Sequence, residues 1–163
     1  MSEIVILYIL CRYDATIYKI SKIMGEMFCA FLKPSLGTIN PAIKRLINLG
    51  CIEASDSMSK GGMASKMCSI TPFGRKYLKN LLLSLEFTNS AHILNNTRIA
   101  LFCADVLAGD EMEEFKKNIK NNLTLFCARS LEALENPYSG LSDVQIKIVN
   151  SKIEEAKKIM ELV

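Results

Sequence analysis

The sequence predicts a mainly α-helical protein that contains one short β-hairpin. Through most of the 163 residues, apolar side chains recur three or four positions apart, which is the spacing of amphipathic helices. Between residues 51 and 70 this spacing is lost, and two short segments flank Gly61 and Gly62. Paired glycines between short extended segments favour the tight turn of a hairpin.

Three helices are predicted before the hairpin. Helix one follows Ser2, its candidate N-cap residue, and carries the apolar run Ile4–Cys11. Thr16 is the candidate N-cap residue of helix two, whose apolar stripe ends near Cys29. A side-chain oxygen at such a position accepts a hydrogen bond from a free N–H group of the first turn, so both sites indicate where a helix begins.

Helix three is bounded by a proline and a glycine. Because proline fits only the first turn of a helix, Pro41 indicates that the helix starts no earlier than Leu36 to Thr38. The apolar stripe stops at Gly50, and glycine suits the left-handed backbone position just past a helix end.

The hairpin and a fourth helix complete the first half of the chain. The strands are predicted at Cys51–Ser57 and Ala64–Ile70. Thr71 followed by Pro72 predicts the start of a helix that continues to Leu85, because this pair gives an N-cap residue and then proline at the first helical position.

The second half is predicted to be helical. A nearly all-apolar helix is expected over Arg98–Leu107, closed by Gly109. Capping-box pairs precede two long amphipathic helices, and these pairs are Asp110 with Glu113 and Ser142 with Gln145. In the last helix, apolar residues are spaced by 4, 3, 4 and 3 positions, which is typical of the seam of a helix pair; they are Val149, Ile153, Ala156, Met160 and Val163.

We expect two domains, residues 1–85 and residues 86–163. The first carries 11 basic and 5 acidic residues, a net charge of +6, and the second carries 9 and 12, a net charge of −3. A positive half suits contact with a polyanion, although a charge of this size is modest by itself.

Several classes of protein are disfavoured by the composition. His92 is the only histidine, with no Ser-His-acid set or phosphate-binding loop beside it, so we expect a surface or hinge residue and no enzyme. The six cysteines never form a Cys-x-x-Cys pair, which predicts reduced thiols and neither a metal site nor a cofactor. The longest apolar run is far shorter than the roughly 20 residues that span a bilayer, so a cytoplasmic protein is expected.

Three helices followed by a hairpin is the order of elements in winged helix-turn-helix domains, in which helix three enters the major groove of DNA and the hairpin lies along the backbone. Small polar side chains begin helix three here, namely Ser35, Thr38 and Asn40, and Lys44 follows one turn later. The hairpin tip has Lys60 before its glycines, and Lys66 follows on the returning strand. Ser35 and Thr38 could equally be helix caps, and the lysines an ordinary solvated surface.

The run from Pro34 to Leu46, PSLGTINPAIKRL, resembles the PadR family of transcriptional regulators, which carries Pro-Ser-x-Gly-Thr-Ile-Tyr-Pro-Ala-Leu-x-Arg-Leu. The resemblance continues in order, at Tyr18 and Ile20 in helix two, at Gly50-Cys51-Ile52-Glu53, at Gly61-Gly62, and at Ile70-Thr71-x-x-Gly74. It covers about half of the chain. Two departures stand out, because Asn40 replaces the tyrosine of the family and Ile17 replaces its glycine.

The resemblance implies a DNA-binding regulator, by default a repressor, with a winged helix-turn-helix domain and a longer helical C-terminal domain. The residues that it places on DNA are Tyr18, Ser35, Thr38, Asn40, Lys44, Lys60, Gly61 and Lys66. Asn40 could read adenine, or the missing tyrosine could remove a phosphate contact.

The C-terminal domains of the family pair two chains, so the resemblance also implies a homodimer. The candidate dimerisation residues are Phe102, Phe115, Ile119, Leu123, Ile153 and Met160. Such a dimer would hold two recognition helices on the order of 34 Å apart and require a two-fold symmetric operator. A small hydrophobic effector is a further candidate partner, although its candidate lining is equally explained by core packing; that lining is Tyr8, Phe28, Phe102 and Met112.

Two other functions fit the same sequence. One is a winged helix that binds a protein and has lost DNA binding, which the modest charge permits. The other is a cysteine-based redox sensor, for which Cys11 beside Arg12 and Cys127 near Arg129 are the candidates, because a basic neighbour favours the reactive thiolate.

Overall fold

A computed structural model of the protein describes residues 1–58, 64–85, 90–138 and 140–163. The fold is mainly α-helical with a small antiparallel sheet, which confirms the predicted class. The α-helices are α1 (Ser2–Arg12), α2 (Ile17–Met27), α3 (Leu36–Asn48), α4 (Pro72–Leu83), α5 (Ile93–Phe102), α6 (Asp110–Glu135) and α7 (Asp143–Met160). The strands are β1 (Ala15–Thr16), β2 (Ile52–Met58) and β3 (Ala64–Ile70), and short 3₁₀ helices occupy Ser90–His92 and Ala104–Val106. None of these described helices is long and apolar enough to cross a membrane.

The chain forms two compact units. The first unit contains Met1–Ser84 and Ile99–Leu107, and the second contains Leu85–Arg98 and Ala108–Val163. The domain boundary expected after Leu85 stays a prediction.

The first unit is built around α1. All seven residues of the run Ile4–Leu10 are buried, because α1 packs against α2, α3, α4 and β3. The sheet has the order β1-β3-β2, with Ala15 paired to Cys68 and Thr16 to Met67. The sequence did not predict β1, since two residues are too few to show an alternating pattern.

Helix starts were predicted with mixed success. The Thr16 Oγ1 atom accepts a hydrogen bond from the Lys19 N–H group at 3.3 Å, and the Ser142 capping box with Gln145 is present. The prediction that Ser2 caps α1 was wrong, because Met1 holds that position and Ser2 is already helical. The capping box at Asp110 was also wrong, because Gly109 is the N-cap residue with a φ of 54°. Asp110 instead lies in the first turn, where the helix dipole favours a carboxylate.

The predicted helix over Arg98–Leu107 differs from the structure at both ends. The helix begins earlier, at Ile93, because the buried residues Ile93 and Leu94 extend its apolar surface. It ends at Phe102, after which Ala104–Val106 form a 3₁₀ helix. In the first unit Asp105 binds the side chain of Arg12, so the polar residue that follows the helix is held by an ion pair.

The second unit is organised by packing between α6 and α7. The buried residues of α6 are Phe115, Ile119 and Leu123, and those of α7 are Ile153, Ala156 and Ile159. Two members of the predicted α7 seam, Ile153 and Ala156, are therefore buried. Ion pairs support this unit, with Arg98 Nη1 at 2.7 Å and Lys152 Nζ at 2.8 Å from the Glu155 carboxylate.

Candidate nucleic-acid interface

The start of α3 is closed by two hydroxyl groups. Ser35 is the N-cap residue, and its Oγ atom accepts a hydrogen bond from the Thr38 N–H group at 3.3 Å. The Thr38 hydroxyl donates to the Ser35 carbonyl oxygen at 2.9 Å. The Ser35 side chain therefore caps the helix, as the simpler interpretation of that residue held, whereas the Thr38 hydroxyl satisfies no free N–H group. Both side chains remain exposed, so their hydrogen bonds within the helix start do not prevent them from contacting a ligand.

The two faces of α3 differ sharply. One face is buried and carries Ile39, Ala42, Ile43 and Leu46, whereas the apolar residues Leu36 and Ile47 lie outside it and are exposed. The opposite face is exposed and carries Ser35, Thr38, Asn40 and Lys44. The first unit thus presents the polar face of α3 to solvent, as a helix that enters a groove requires.

Lys44 and Arg45 are neighbours with different surroundings. The Arg45 Nε atom donates to Glu3 Oε1 at 2.8 Å, so this guanidinium is bound to the start of α1. Within the described part of the chain, none of the ion pairs includes Lys44. Of the two cations, Lys44 is therefore the one that is available to an external anion.

The first turn of α2 and the strands of the hairpin enclose a cleft of about 370 Å³. Tyr18 lies on one wall, with 77% of its surface exposed, and Lys66 lies on the other. We call this the α2–wing cleft, and its lining residues are Thr16, Ile17, Tyr18, Asp56, Ser65 and Lys66. The tertiary structure thus brings together two predicted site residues that are far apart in sequence.

Asp56 is the charged lining residue that sequence reasoning missed. It is directly paired with Lys66 across β2 and β3. The signal was present in the sequence, because the two residues are equidistant from Gly61 in the expected turn. Of the predicted site residues, Lys60 and Gly61 lie outside the described residues.

A glycine fixes the hairpin against α4. A Cβ atom at Gly74 would overlap the carbonyl oxygen of Cys51 and lie 2.9 Å from Ile70 Cγ1. The Thr71 hydroxyl donates to the Gly50 carbonyl oxygen at 2.7 Å and accepts from the Gly74 N–H group at 2.9 Å. Ile70-Thr71-x-x-Gly74 therefore holds the hairpin in its place after α3.

The cysteine thiols provide little support for redox sensing. Burial raises the pKa of Cys103 to about 12. It also raises the pKa of Cys11, against the opposing effect of Arg75 and Arg12, and that of Cys127, against Lys157. Thiols with raised pKa values stay protonated at neutral pH, and the protonated form is the unreactive one. No group of three or more histidine, cysteine or acidic residues suited to a metal occurs among the described residues.

The residues predicted for dimerisation are mostly covered by their own chain. Phe115, Ile119, Leu123 and Ile153 are buried in the second unit of a single chain. Phe102 is 40% exposed and packs in the first unit, where its ring centroid lies 4.7 Å from that of Phe28. Met160 is half-buried. The assignment of these residues to a dimer stays a prediction.

Three of the four residues predicted to line an effector site form part of an aromatic cluster in the first unit. Tyr8 and Phe28 are buried, with ring centroids 6.3 Å apart, and Tyr8 lies 6.3 Å from Phe102. Arg12 Nη2 donates to the Tyr8 hydroxyl at 2.6 Å, and its guanidinium carbon lies 4.8 Å from the centre of the Tyr8 ring. Met112 belongs to the second unit. His92 is exposed in a 3₁₀ helix.

Comparison with known proteins gives a family match over the first half of the chain. Residues 6–80 match the model of the transcriptional regulator PadR-like family. No curated protein sequence matches the chain.

Solved structures similar to this chain include several regulators. A transcriptional regulator from Clostridium thermocellum is 27% identical, with 48% of this chain and 75% of that chain covered and a TM-score of 0.44. Bacillus subtilis PadR in complex with operator DNA is 15% identical, with 98% and 93% covered and a TM-score of 0.47. A PadR-like transcriptional regulator from Bacillus cereus is 18% identical, with 99% and 93% covered and a TM-score of 0.42.

The family match covers the same residues as the motifs. It includes the first turn of α2, all of α3, the hairpin and Gly74, and the family consists of transcriptional regulators rather than enzymes. Residues 6–80 of this chain are therefore similar to the PadR-like family of transcriptional regulators.

Proposed function

We propose that this protein is a sequence-specific DNA-binding transcriptional regulator of the cytoplasm, which acts as a homodimer on a two-fold symmetric operator and represses transcription. The observation that carries the proposal is the exposed polar face of α3, which displays Ser35, Thr38, Asn40 and Lys44 opposite a fully buried apolar face. A helix with this arrangement fits the major groove of B-form DNA, where base edges are distinguishable.

Within the groove, the side chains of α3 would make different contacts according to their chemistry. The Asn40 amide can donate to and accept from the edge of adenine, and this is the pairing that asparagine favours. Lys44, one turn further along, carries a positive charge that suits a phosphate or a guanine edge. The Ser35 hydroxyl caps the helix and the Thr38 hydroxyl bonds to the Ser35 carbonyl oxygen, so the part of these small side chains is to let the first turn approach the duplex closely.

The α2–wing cleft would hold the DNA backbone beside the groove. The exposed Tyr18 hydroxyl and Lys66 face the same cleft, and both groups can donate to a phosphate oxygen. Lys60 and Gly61 would extend this contact along the hairpin, as the family resemblance implies. Contacts of this kind fix the register of the protein on the duplex, and the bases supply the specificity.

The homodimer is proposed for the second unit, and exposed apolar residues of α7 support it. Val144 and Ile148 lie four positions apart on one face of the helix and are exposed. Apolar surface of this kind gains free energy when a partner removes it from water. Two chains paired in this way would display two copies of α3 to one duplex.

Control by a small hydrophobic effector belongs to the same proposal through the family resemblance. The rings of Tyr8, Phe28 and Phe102 already contact one another. An effector that used them would have to separate the rings, so its binding would change the packing of α1 against the end of α2.

The DNA-binding proposal is tested by selection from random duplex DNA followed by measurement of affinity. We expect the natural chain to select a two-fold symmetric sequence. Lys44→Ala should weaken binding about 10-fold or more, because a lost base or phosphate contact costs about 1 to 3 kcal/mol. Lys120→Ala, an exposed lysine on α6, is the matched control and should change affinity by less than about twofold.

Two outcomes would contradict the proposal. Equal affinities for the Lys44→Ala and Lys120→Ala variants would show that α3 is not the DNA-recognition helix. Binding that does not decline as salt rises would point to a protein partner, because neutralised phosphates make DNA binding strongly salt-dependent.

A further inference from the structure

The α2–wing cleft contains an acidic side chain where a DNA-binding surface calls for cations. Asp56 and Lys66 are paired directly across the two antiparallel strands. Directly opposite residues point to the same face of a sheet, with Cβ atoms about 5 Å apart. Both side chains are exposed and line the cleft. A phosphate that approaches Lys66 therefore also approaches Asp56.

The two charges cancel within the cleft. The other lining residues that the structure describes are uncharged at neutral pH, and they are Thr16, Ile17, Tyr18 and Ser65. At a separation of about 5 Å the two charges lie well inside the Debye length of about 10 Å at 0.1 M salt. The described lining would therefore present no net charge to a phosphate, and hydrogen bonding to Tyr18, Ser65 and Lys66 would be what favours it there.

The cancellation is not fixed by a closed ion pair. Among the ion pairs of the described residues, none includes Asp56 or Lys66. The Lys66 side chain is thus able to reach a phosphate. The negative charge of Asp56 repels that phosphate and reduces the free energy gained when it binds.

We propose that Asp56 limits the affinity of this protein for duplex DNA of any sequence by acting as the internal counterion of Lys66. The inference rests on the proposed function, since it requires DNA in the α2–wing cleft. Non-specific binding arises from neutralised phosphates, so Asp56 restrains it directly. A genome offers a vast excess of non-specific sites. Lower affinity for those sites leaves a larger fraction of the protein available to bind the sequence that α3 recognises.

The test compares Asp56→Asn with Glu53→Gln on a labelled duplex of random sequence, using fluorescence anisotropy over a range of salt concentrations. Both changes remove one negative charge from β2. Glu53, however, lines the groove on the other face of the strand, with Ile47 and Ser55. Circular dichroism and thermal melting of each variant establish that the fold is retained.

We expect Asp56→Asn to tighten binding about 5- to 10-fold at low salt. The slope of log affinity against log salt should steepen by about 0.9, the effect of one more neutralised phosphate. At about 0.1 M salt, where screening acts over about 10 Å, Glu53→Gln should change affinity by less than about twofold, because its charge lies outside the cleft, while Asp56→Asn should still tighten binding. In the Lys66→Gln background, the gain from Asp56→Asn should shrink, since the cation that Asp56 opposes is then absent.

The inference and the proposed function fail in different ways. If Lys66→Gln weakens binding while Asp56→Asn leaves both affinity and slope unchanged, the inference is overturned and the DNA-binding proposal stands. An equal gain from Glu53→Gln would also overturn it, because the effect would then be one of overall charge. If neither the natural chain nor the Asp56→Asn variant binds duplex DNA at low salt, both fail.

Discussion

Thr97 buries a hydroxyl group that has no hydrogen-bond partner among the described residues. A threonine within a helix commonly donates to a carbonyl oxygen of the preceding turn, but no such bond forms here. An unsatisfied buried hydroxyl costs free energy, because it has lost its hydrogen bonds to water. Thr97 is thus a site where the native sequence is less stable than an apolar residue of the same shape would be.

Replacing Thr97 with valine should stabilise the protein. Valine has nearly the same shape and no polar group to desolvate, so we expect the free energy of unfolding to rise by about 1 kcal/mol. Urea denaturation monitored by circular dichroism measures this change. Thr97→Ser, which keeps the hydroxyl and removes a buried methyl group, should have the opposite sign. A Thr97→Val protein that is less stable than the natural one would show that the hydroxyl has a partner.

Single residues also show how far the candidate site could be predicted. Ser35, Thr38, Asn40 and Lys44 were named from the start of helix three, because helix position and polarity are local properties of the sequence. Asp56 was missed, because its importance comes from its partner on the neighbouring strand. The ion pair between Arg45 and Glu3, 42 positions earlier, was likewise not predicted.

At the scale of elements, caps and turns fixed most of the boundaries. Thr16, Ser35 and Thr71 each accept a hydrogen bond from the first turn of the helix that follows. Gly50 has a φ of 72° just after α3, as its position predicted. The errors in predicting the elements occurred where long-range contacts determine the structure. One example is β1, which forms because it pairs with β3.

The packing of α4 against the hairpin should depend on Gly74. Alanine at this position would force its methyl group against the Cys51 carbonyl group and Ile70. We expect Gly74→Ala to destabilise the protein by about 2 to 4 kcal/mol, as measured by urea denaturation. Because it moves the hairpin, this change should also weaken DNA binding.

Gly25→Ala is the matched control for Gly74→Ala. Its added methyl group would lie 3.6 Å from Pro34 Cγ, an ordinary contact, inside α2. Alanine favours the helix more than glycine by roughly 0.5 to 1 kcal/mol, so this variant should be slightly more stable than the natural chain. Equal stabilities for the two alanine variants would refute the role given to Gly74.

At the scale of the whole molecule, four of the residues predicted for dimerisation are buried within a single chain, and their assignment to a dimer stays a prediction. The apolar surface of these residues is buried within one chain, and they are Phe115, Ile119, Leu123 and Ile153. Periodicity alone could not tell this internal packing from a contact between two chains, because both bury one face of a helix. The exposed residues Val144 and Ile148 are therefore the better target for a test of the dimer.

Ile148→Asp should separate the proposed dimer into monomers. A carboxylate on an apolar interface must be desolvated without a partner, and this cost opposes association. In sedimentation experiments we expect the natural chain at twice its mass of 18.2 kDa and the variant at that mass. Asn150→Asp adds the same charge at an exposed polar position of α7 and should remain dimeric. A natural chain that sediments as a monomer would contradict the dimer itself.

The sequence by itself determined the order and type of most elements, the caps that start them and the polar start of α3. These features depend on local spacing and on hydrogen bonds within a few residues. The tertiary structure decided that Ile99–Leu107 joins the first unit, that α6 and α7 bury their apolar faces within one chain, and that Asp56 stands opposite Lys66. These outcomes depend on which parts of the chain, distant in sequence, pack together. The free energy of those contacts cannot be inferred from local sequence patterns.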